Sequence, residues 1–143
     1  MSFKNYRFLT RSVCLLVISL AGCGKSDSIV PVKGVLTFKG KPVTNAWIDF
    51  MPEGGRMSSG QTDDQGRFKL AYDSKKPGAI IGKHKVILRP RPVTVAEQEA
   101  VMRGKKQPMP KELADMFDRY SPAKSTKEVI VENNSKELKI DLD

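Results

Sequence analysis

The stretch TDDQGRFKLAY, residues 62–72, combines a tight turn with a β-strand and indicates the fold of the whole chain. Asp63 can accept hydrogen bonds from backbone N–H groups, and Gly66 can adopt the positive φ that such a turn requires. After the turn, apolar residues occupy every second position and therefore one face of a strand: Phe68, Leu70 and Tyr72. We assign Asp63, Asp64 and Gly66 a structural role in this turn.

Six other segments alternate between apolar and polar residues or are rich in β-branched and aromatic residues, both of which are typical of strands. Turn-forming pairs such as Pro77-Gly78 and Asn133-Asn134 separate them. The sequence therefore predicts an all-β fold, a seven-strand antiparallel β-sandwich. Besides residues 67–72, the predicted strands are 32–39, 46–51, 57–62, 83–89, 128–132 and 138–143.

The segment from about residue 90 to 126 interrupts this pattern and predicts a short helical insertion between strands five and six. Thr94 and Glu97 have the spacing of a capping box, which predicts a helix that ends near Arg103. A second helix is expected from Lys111. Its apolar residues recur at spacings of three and four and would cover one edge of the sandwich: Leu113, Met116, Phe117 and Tyr120.

The first 22 residues have the layout of an export signal. A basic start precedes an apolar run over residues 13–21, which is too short to span a bilayer because a span needs roughly 20 apolar residues. The following LAGC, residues 20–23, resembles the lipobox of bacterial lipoproteins. The resemblance implies cleavage after Gly22 and attachment of lipid, with acyl chains such as palmitate, to the thiol of Cys23.

The domain prediction is accordingly a signal peptide over residues 1–22, a lipidated tether over 23–31 and a β-sandwich domain over 32–143. The expected partner is a membrane, reached through the lipid anchor on Cys23. The expected location is the bacterial cell envelope, on its periplasmic or external face.

The chain has 143 residues, a formal net charge of +9 and 39% hydrophobic residues, which favours one small basic domain and excludes a polytopic membrane protein. Nucleic acid is not expected as a partner, because no aromatic residue for base stacking occurs between residues 89 and 111 in the most basic stretch. A solvated basic face that keeps the protein soluble is an equally good explanation of this stretch. Candidate contacts to anionic lipid, polysaccharide or protein are Arg103, Lys105 and Lys106.

Five short motifs in this order resemble the carboxypeptidase regulatory-like, or transthyretin-like, domain family, in the form of small lipoproteins of planctomycete-like bacteria. The resemblance implies a seven-strand prealbumin-like β-sandwich with an accessory, non-catalytic role. His84 stands where an aromatic Tyr is usual in the family. The motifs are VKG at 32–34, GKPV at 40–43, AWIDF at 46–50, TDDQGRF at 62–68 and GKHKV at 82–86.

The residues offer little for catalysis, so no catalytic residue, metal or cofactor is expected. His84 is the only histidine, and Ile87 occupies the position where a zinc site would have a carboxylate. The alternation of His84 with Val86 and Leu88 favours a partly buried structural role. A small transthyretin-like hydrolase is the last alternative, and the chain lacks the Tyr-Arg-Gly-Ser terminus of such enzymes.

The leading hypothesis is therefore a non-enzymatic, lipid-anchored structural or binding module, with a polysaccharide or protein of the envelope as partner. The alternative is a carbohydrate-binding module in which aromatic side chains stack on sugar rings. An exposed Trp47 would favour this alternative and a buried Trp47 would remove its best residue. Candidate stacking residues are Trp47, Tyr72 and Tyr120.

Overall fold

The computed structural model describes residues 28–106, 108–134 and 137–143 and shows a mostly β fold with two helices. The predicted signal peptide, Cys23 and most of the predicted tether lie outside the described residues. The strands are β1 Ile29–Val30, β2 Lys33–Phe38, β3 Lys41–Pro42, β4 Ala46–Pro52, β5 Ser58–Gln61, β6 Arg67–Ala71, β7 Ala79–Ile80, β8 Gly82–Pro90, β9 Glu128–Val131 and β10 Leu138–Leu142. All seven predicted strands are present.

The main sheet is curled and has the strand order β10-β2-β6-β5-β4-β8-β9, with β3 also paired to β2. This architecture is consistent with the predicted all-β sandwich. The predicted antiparallel pairing holds for the other strand pairs but is wrong for β2 and β10, which run parallel, with Leu36 opposite Ile140. Alternation of apolar and polar residues puts one face inward whichever way the neighbouring strand runs, so the pattern contained no information on direction.

Strand β6 connects the two halves of the sheet. Its first residues pair with β2, and its last two pair with β5. The inner faces of both halves bury one continuous apolar core, which explains the period-two pattern of β2, where Gly34 and Leu36 are buried and Lys33 is exposed. Fully buried core residues include Leu36, Ile48, Phe50, Val86, Leu88, Val131 and Leu142.

Strand β8 is buried on both faces in its middle. His84, Val86 and Leu88 point into the core, as the pattern predicted. Ile87, on the other face, is only 1% exposed and lies opposite Asp49 of β4, which is also 1% exposed. The outer face is therefore covered at this point, which simple alternation does not reveal.

The insertion between β8 and β9 contains both predicted helices, α1 (Val95–Met102) and α2 (Lys111–Arg119). The predicted capping box is present, since the Glu97 amide donates to Thr94 Oγ1 over 3.2 Å and Glu97 Oε2 accepts from the Thr94 amide over 3.0 Å. α2 packs against the sandwich and buries Met116 and Phe117, whereas α1 buries no residue.

Two residues of the predicted tether take part in a β-strand. Ile29 and Val30 of the expected tether form β1, which pairs with β7 in a separate two-stranded sheet. Two-residue strands such as β1, β3 and β7 are too short to show a period, so sequence patterns did not indicate them. Within the described ranges, no helix is both long enough and apolar enough to span a membrane.

Candidate functional site

The best candidate site is a groove of about 680 Å³ on the outer face of the sheet, along β6 and between β5 and β2. Its volume lies in the range typical of small-molecule sites, roughly 300–1,000 Å³. Polar side chains dominate its walls, and the backbone of two glycines, Gly34 and Gly60, forms part of its surface. The other lining residues are Lys33, Trp47, Ser59, Gln61, Asp63, Arg67, Phe68, Lys69 and Glu137.

Trp47 forms the β4 wall of this groove and is half-buried. In the ladder it lies opposite Gln61 of β5 on the groove side and opposite Arg89 of β8 on the other side. The Arg89 guanidinium lies 6.0 Å from the centroid of the indole ring, within the range of a cation–π contact. The indole is therefore braced on its β8 side, while the groove lies on its β5 side.

A buried carboxylate fixes this brace. Arg89 Nε donates to Asp49 Oδ2 over 2.8 Å, and Asp49 is 1% exposed. Asp49 and Trp47 are two residues apart on β4 and so project from the same face. Asp49 Oδ1 has no hydrogen-bond partner within the described part of the chain, so this ion pair leaves half of the carboxylate unsatisfied.

Strand β5 places hydrogen-bonding side chains next to Trp47 of β4. The side-chain oxygen of Gln61 accepts from Arg91 Nη1 over 3.2 Å, and Arg91 Nη2 donates to Asn45 Oδ1 over 3.1 Å. These contacts hold the Gln61 amide in place. The Gln61 nitrogen and the Ser59 hydroxyl have no partner among the described residues and are available to a ligand.

The turn that precedes β6 lines one end of the groove and has the expected geometry. Asp63 Oδ1 accepts from the Gln65 amide over 2.9 Å and from the Arg67 amide over 2.8 Å. The hydrogen bond from the Arg67 amide, followed by that from Gln65, lowers the pKa of Asp63 and keeps it charged. Gly66 adopts a φ of +72°, as expected, and Asp64 is exposed.

The groove includes only one of the three predicted stacking residues. Tyr72 lies outside it, with the Arg56 guanidinium 6.0 Å from its ring centroid. The assignment of Tyr120 as a stacking residue was wrong, because its side chain is 7% exposed and belongs to the core. Its hydroxyl accepts from the Asp143 amide over 3.3 Å, so Tyr120 attaches the end of the chain to α2. The burial of Tyr120 agrees with the spacings of three and four between the apolar residues of the second predicted helix.

The basic residues of the insertion lie away from the groove. Arg103, Lys105 and Lys106 are exposed beyond the end of α1. Arg103 Nη2 forms an ion pair with Glu99 Oε2 over 3.2 Å, which neutralises part of this cluster. The exposed apolar residues Val95 and Met102 are on the same helix. The cluster is thus a separate surface feature.

His84 is also separate from the groove. It is 1% exposed, its Nε2 is 2.7 Å from the Ile80 carbonyl oxygen, and its ring packs against Phe50. A histidine held in this way has no access to a ligand on the outer face. The described residues contain no group of three or more His, Cys, Asp or Glu side chains placed to hold a metal ion.

A comparison with protein families, with curated proteins and with solved structures finds no match for this chain. The groove and the sequence are therefore the features of this chain that point to a function.

Proposed function

We propose that the protein is a non-enzymatic binding module, anchored by lipid on Cys23 at the periplasmic or external side of a bacterial envelope, and that its groove binds carbohydrate. The observation that carries the proposal is the position of Trp47 in the groove wall, beside Gln61 and Ser59. The side-chain nitrogen of Gln61 and the hydroxyl of Ser59 have no partner in the described part of the chain. An aromatic face stacks on the C–H face of a sugar ring while amides and hydroxyls bind its oxygens.

The resemblance to the carboxypeptidase regulatory-like or transthyretin-like family belongs to the same proposal. It implies a prealbumin-like topology and an accessory role without catalysis. The curled sheet and the TDDQGRF turn are compatible with it.

The groove is tested by affinity electrophoresis of the full chain, purified in mild detergent, through gels that contain single neutral or acidic polysaccharides. We expect at least one polysaccharide to retard the wild type and Trp47→Ala to abolish the retardation. Tyr72→Ala is the matched control, since it removes another half-buried aromatic ring outside the groove. If no gel retards the wild type, or if Trp47→Ala and the wild type are retarded equally, carbohydrate binding in the groove is overturned.

The anchor is tested independently through Cys23. Wild-type protein should incorporate labelled palmitate in cells and partition with the envelope membranes. Cys23→Ser should lose the label and remain unprocessed at higher apparent mass. A labelled Cys23→Ser variant would overturn the lipid assignment without affecting the groove.

A further inference from the structure

Two lysines face each other across the groove surface. Lys33 of β2 and Lys69 of β6 are direct partners in the antiparallel ladder, and both side chains are exposed on the outer face. The Cβ atoms of directly opposite residues are about 5 Å apart, and like charges at such positions destabilise a sheet. Both lysines line the groove that contains Trp47.

Neither lysine has an ion-pair or hydrogen-bond partner for its ammonium group within residues 28–106, 108–134 and 137–143. Two acidic residues line the groove, Asp63 and Glu137, and within the described ranges no ion pair joins either of them to Lys33 or Lys69. Asp63 uses Oδ1 to hold the turn through the Gln65 and Arg67 amides. Arg67 lies beside Asp63 and contributes to holding its charge. With Lys33, Lys69 and Arg67 against Asp63 and Glu137, the groove lining carries a formal net charge of +1, which favours an external anion beside the lysine pair.

On the basis of the proposed function, we infer that the groove binds an acidic carbohydrate. A sugar ring stacks on Trp47, and a carboxylate or sulfate of the same oligosaccharide lies between Lys33 and Lys69. β4 is two strands away from β6 and three from β2, which corresponds to about 10 and 14 Å between backbones. A single sugar is too short for this separation, so the ligand is expected to be an oligosaccharide that runs across the strands.

The chain contains one tryptophan, so fluorescence of Trp47 reports directly on the groove. The full chain in mild detergent is titrated with oligogalacturonate and, separately, with the same oligomer in fully methyl-esterified form. We expect the acid to change the fluorescence and to bind at least fivefold more tightly than the ester. We expect the difference to shrink in 1 M salt, where the screening length falls to about 3 Å. A sulfated galactan oligosaccharide, titrated in parallel, shows whether sulfate or carboxylate is preferred.

Single variants test the lysine pair. Lys69→Gln and Lys33→Gln should each weaken binding of the acidic oligomer about fivefold, which corresponds to about 1 kcal/mol. Their urea midpoints should equal or exceed that of the wild type, because each removes a like-charge contact. Lys75→Gln, an exposed lysine outside the groove, is the matched control and should bind like wild type.

The outcomes separate this inference from the proposed function. Binding by Trp47→Ala, which lacks the fluorophore, is measured by isothermal titration calorimetry beside the wild type. Equal binding of acid and ester to the wild type, with loss of both in Trp47→Ala, would overturn the anion assignment and leave carbohydrate binding in place. Binding of neither, together with no retardation in any gel, would overturn both. Binding of polyglutamate as tightly as oligogalacturonate, unchanged in Trp47→Ala by the same calorimetry, would identify an acidic protein as the partner and overturn the sugar assignment.

Discussion

Replacement of Gly66 by Ala should destabilise the fold strongly, because this residue combines a positive φ with a close backbone contact. Its φ is +72°, and a Cβ at this position would lie 2.5 Å from the carbonyl oxygen of Leu36 and 3.2 Å from Pro42 Cβ. That oxygen accepts from the Val43 amide over 3.0 Å, and the Leu36 amide donates to the Gly66 oxygen over 2.8 Å. The turn is therefore attached directly to β2 and the segment after β3.

The size of the effect can be separated into two contributions. A left-handed backbone costs an L-residue about 1–2 kcal/mol. The contact with the Leu36 oxygen must also be relieved by moving backbone, which weakens hydrogen bonds worth roughly 0.5–1.5 kcal/mol each. We expect Gly66→Ala to lower the free energy of unfolding by about 2–4 kcal/mol.

Gly40 is a close control, since its φ is +75° and a Cβ there would meet nothing within 4 Å. Gly40→Ala should therefore show the backbone cost alone, about 1–2 kcal/mol. Both variants are compared with wild type by urea unfolding followed by far-UV circular dichroism, with the slope m checked for constancy. An equal loss in the two variants would show that the turn does not press against β2 and would refute the contact argument.

Three further predictions concern charged groups. Because backbone hydrogen bonds lower the pKa of Asp63 from its ordinary 3.8, its contribution to stability is complete above that value and is lost as the pH falls below it; the urea midpoint should decrease below about pH 4, and less so in Asp63→Asn. Arg89→Leu should cost about 1–3 kcal/mol by leaving the Asp49 carboxylate buried without a partner, and Asp49→Leu/Arg89→Leu should recover most of that loss in urea unfolding; no recovery would count against the ion pair. Replacement of Arg103, Lys105 and Lys106 by Glu should change the free energy of unfolding by less than about 0.5 kcal/mol but weaken sedimentation with anionic vesicles at low salt. Equal sedimentation of the variant and the wild type would assign these residues to solubility alone.

Local patterns predicted most of the fold. The seven longer strands and both helices were indicated by periods of two and of three to four and by the Thr94–Glu97 capping box, all of which act within a few residues. The parallel direction of β10 beside β2, the two-residue strands and the burial of Ile87 were not predicted. They depend on which distant strand becomes a neighbour, and β2 and β10 are about a hundred residues apart in the sequence.

Contacts between distant strands also limited the prediction of the candidate site. Trp47 was identified because an aromatic residue in a strand is visible in the sequence. The partnership of Lys33 with Lys69 was not, since it depends on the register between β2 and β6. Asp49 looked like an ordinary polar position of an alternating strand, and only its pairing with Arg89 shows that it is a buried ion.

Two local conflicts flank the groove and distinguish it from other hollows of the molecule. On one side, Lys33 and Lys69 place like charges opposite each other; on the other, Asp49 holds Arg89 against Trp47 at the cost of an unsatisfied carboxylate oxygen. In the hollow between α2 and the end of β2, by contrast, Lys39 forms an ion pair with Glu112 over 2.9 Å. Sequences specify a stable fold by agreement between local and global preferences, and violations concentrate at functional sites. Both conflicts would weaken the free protein, and an acidic ligand stacked on Trp47 would relieve the lysine pair, which is why the groove is the place to look for function.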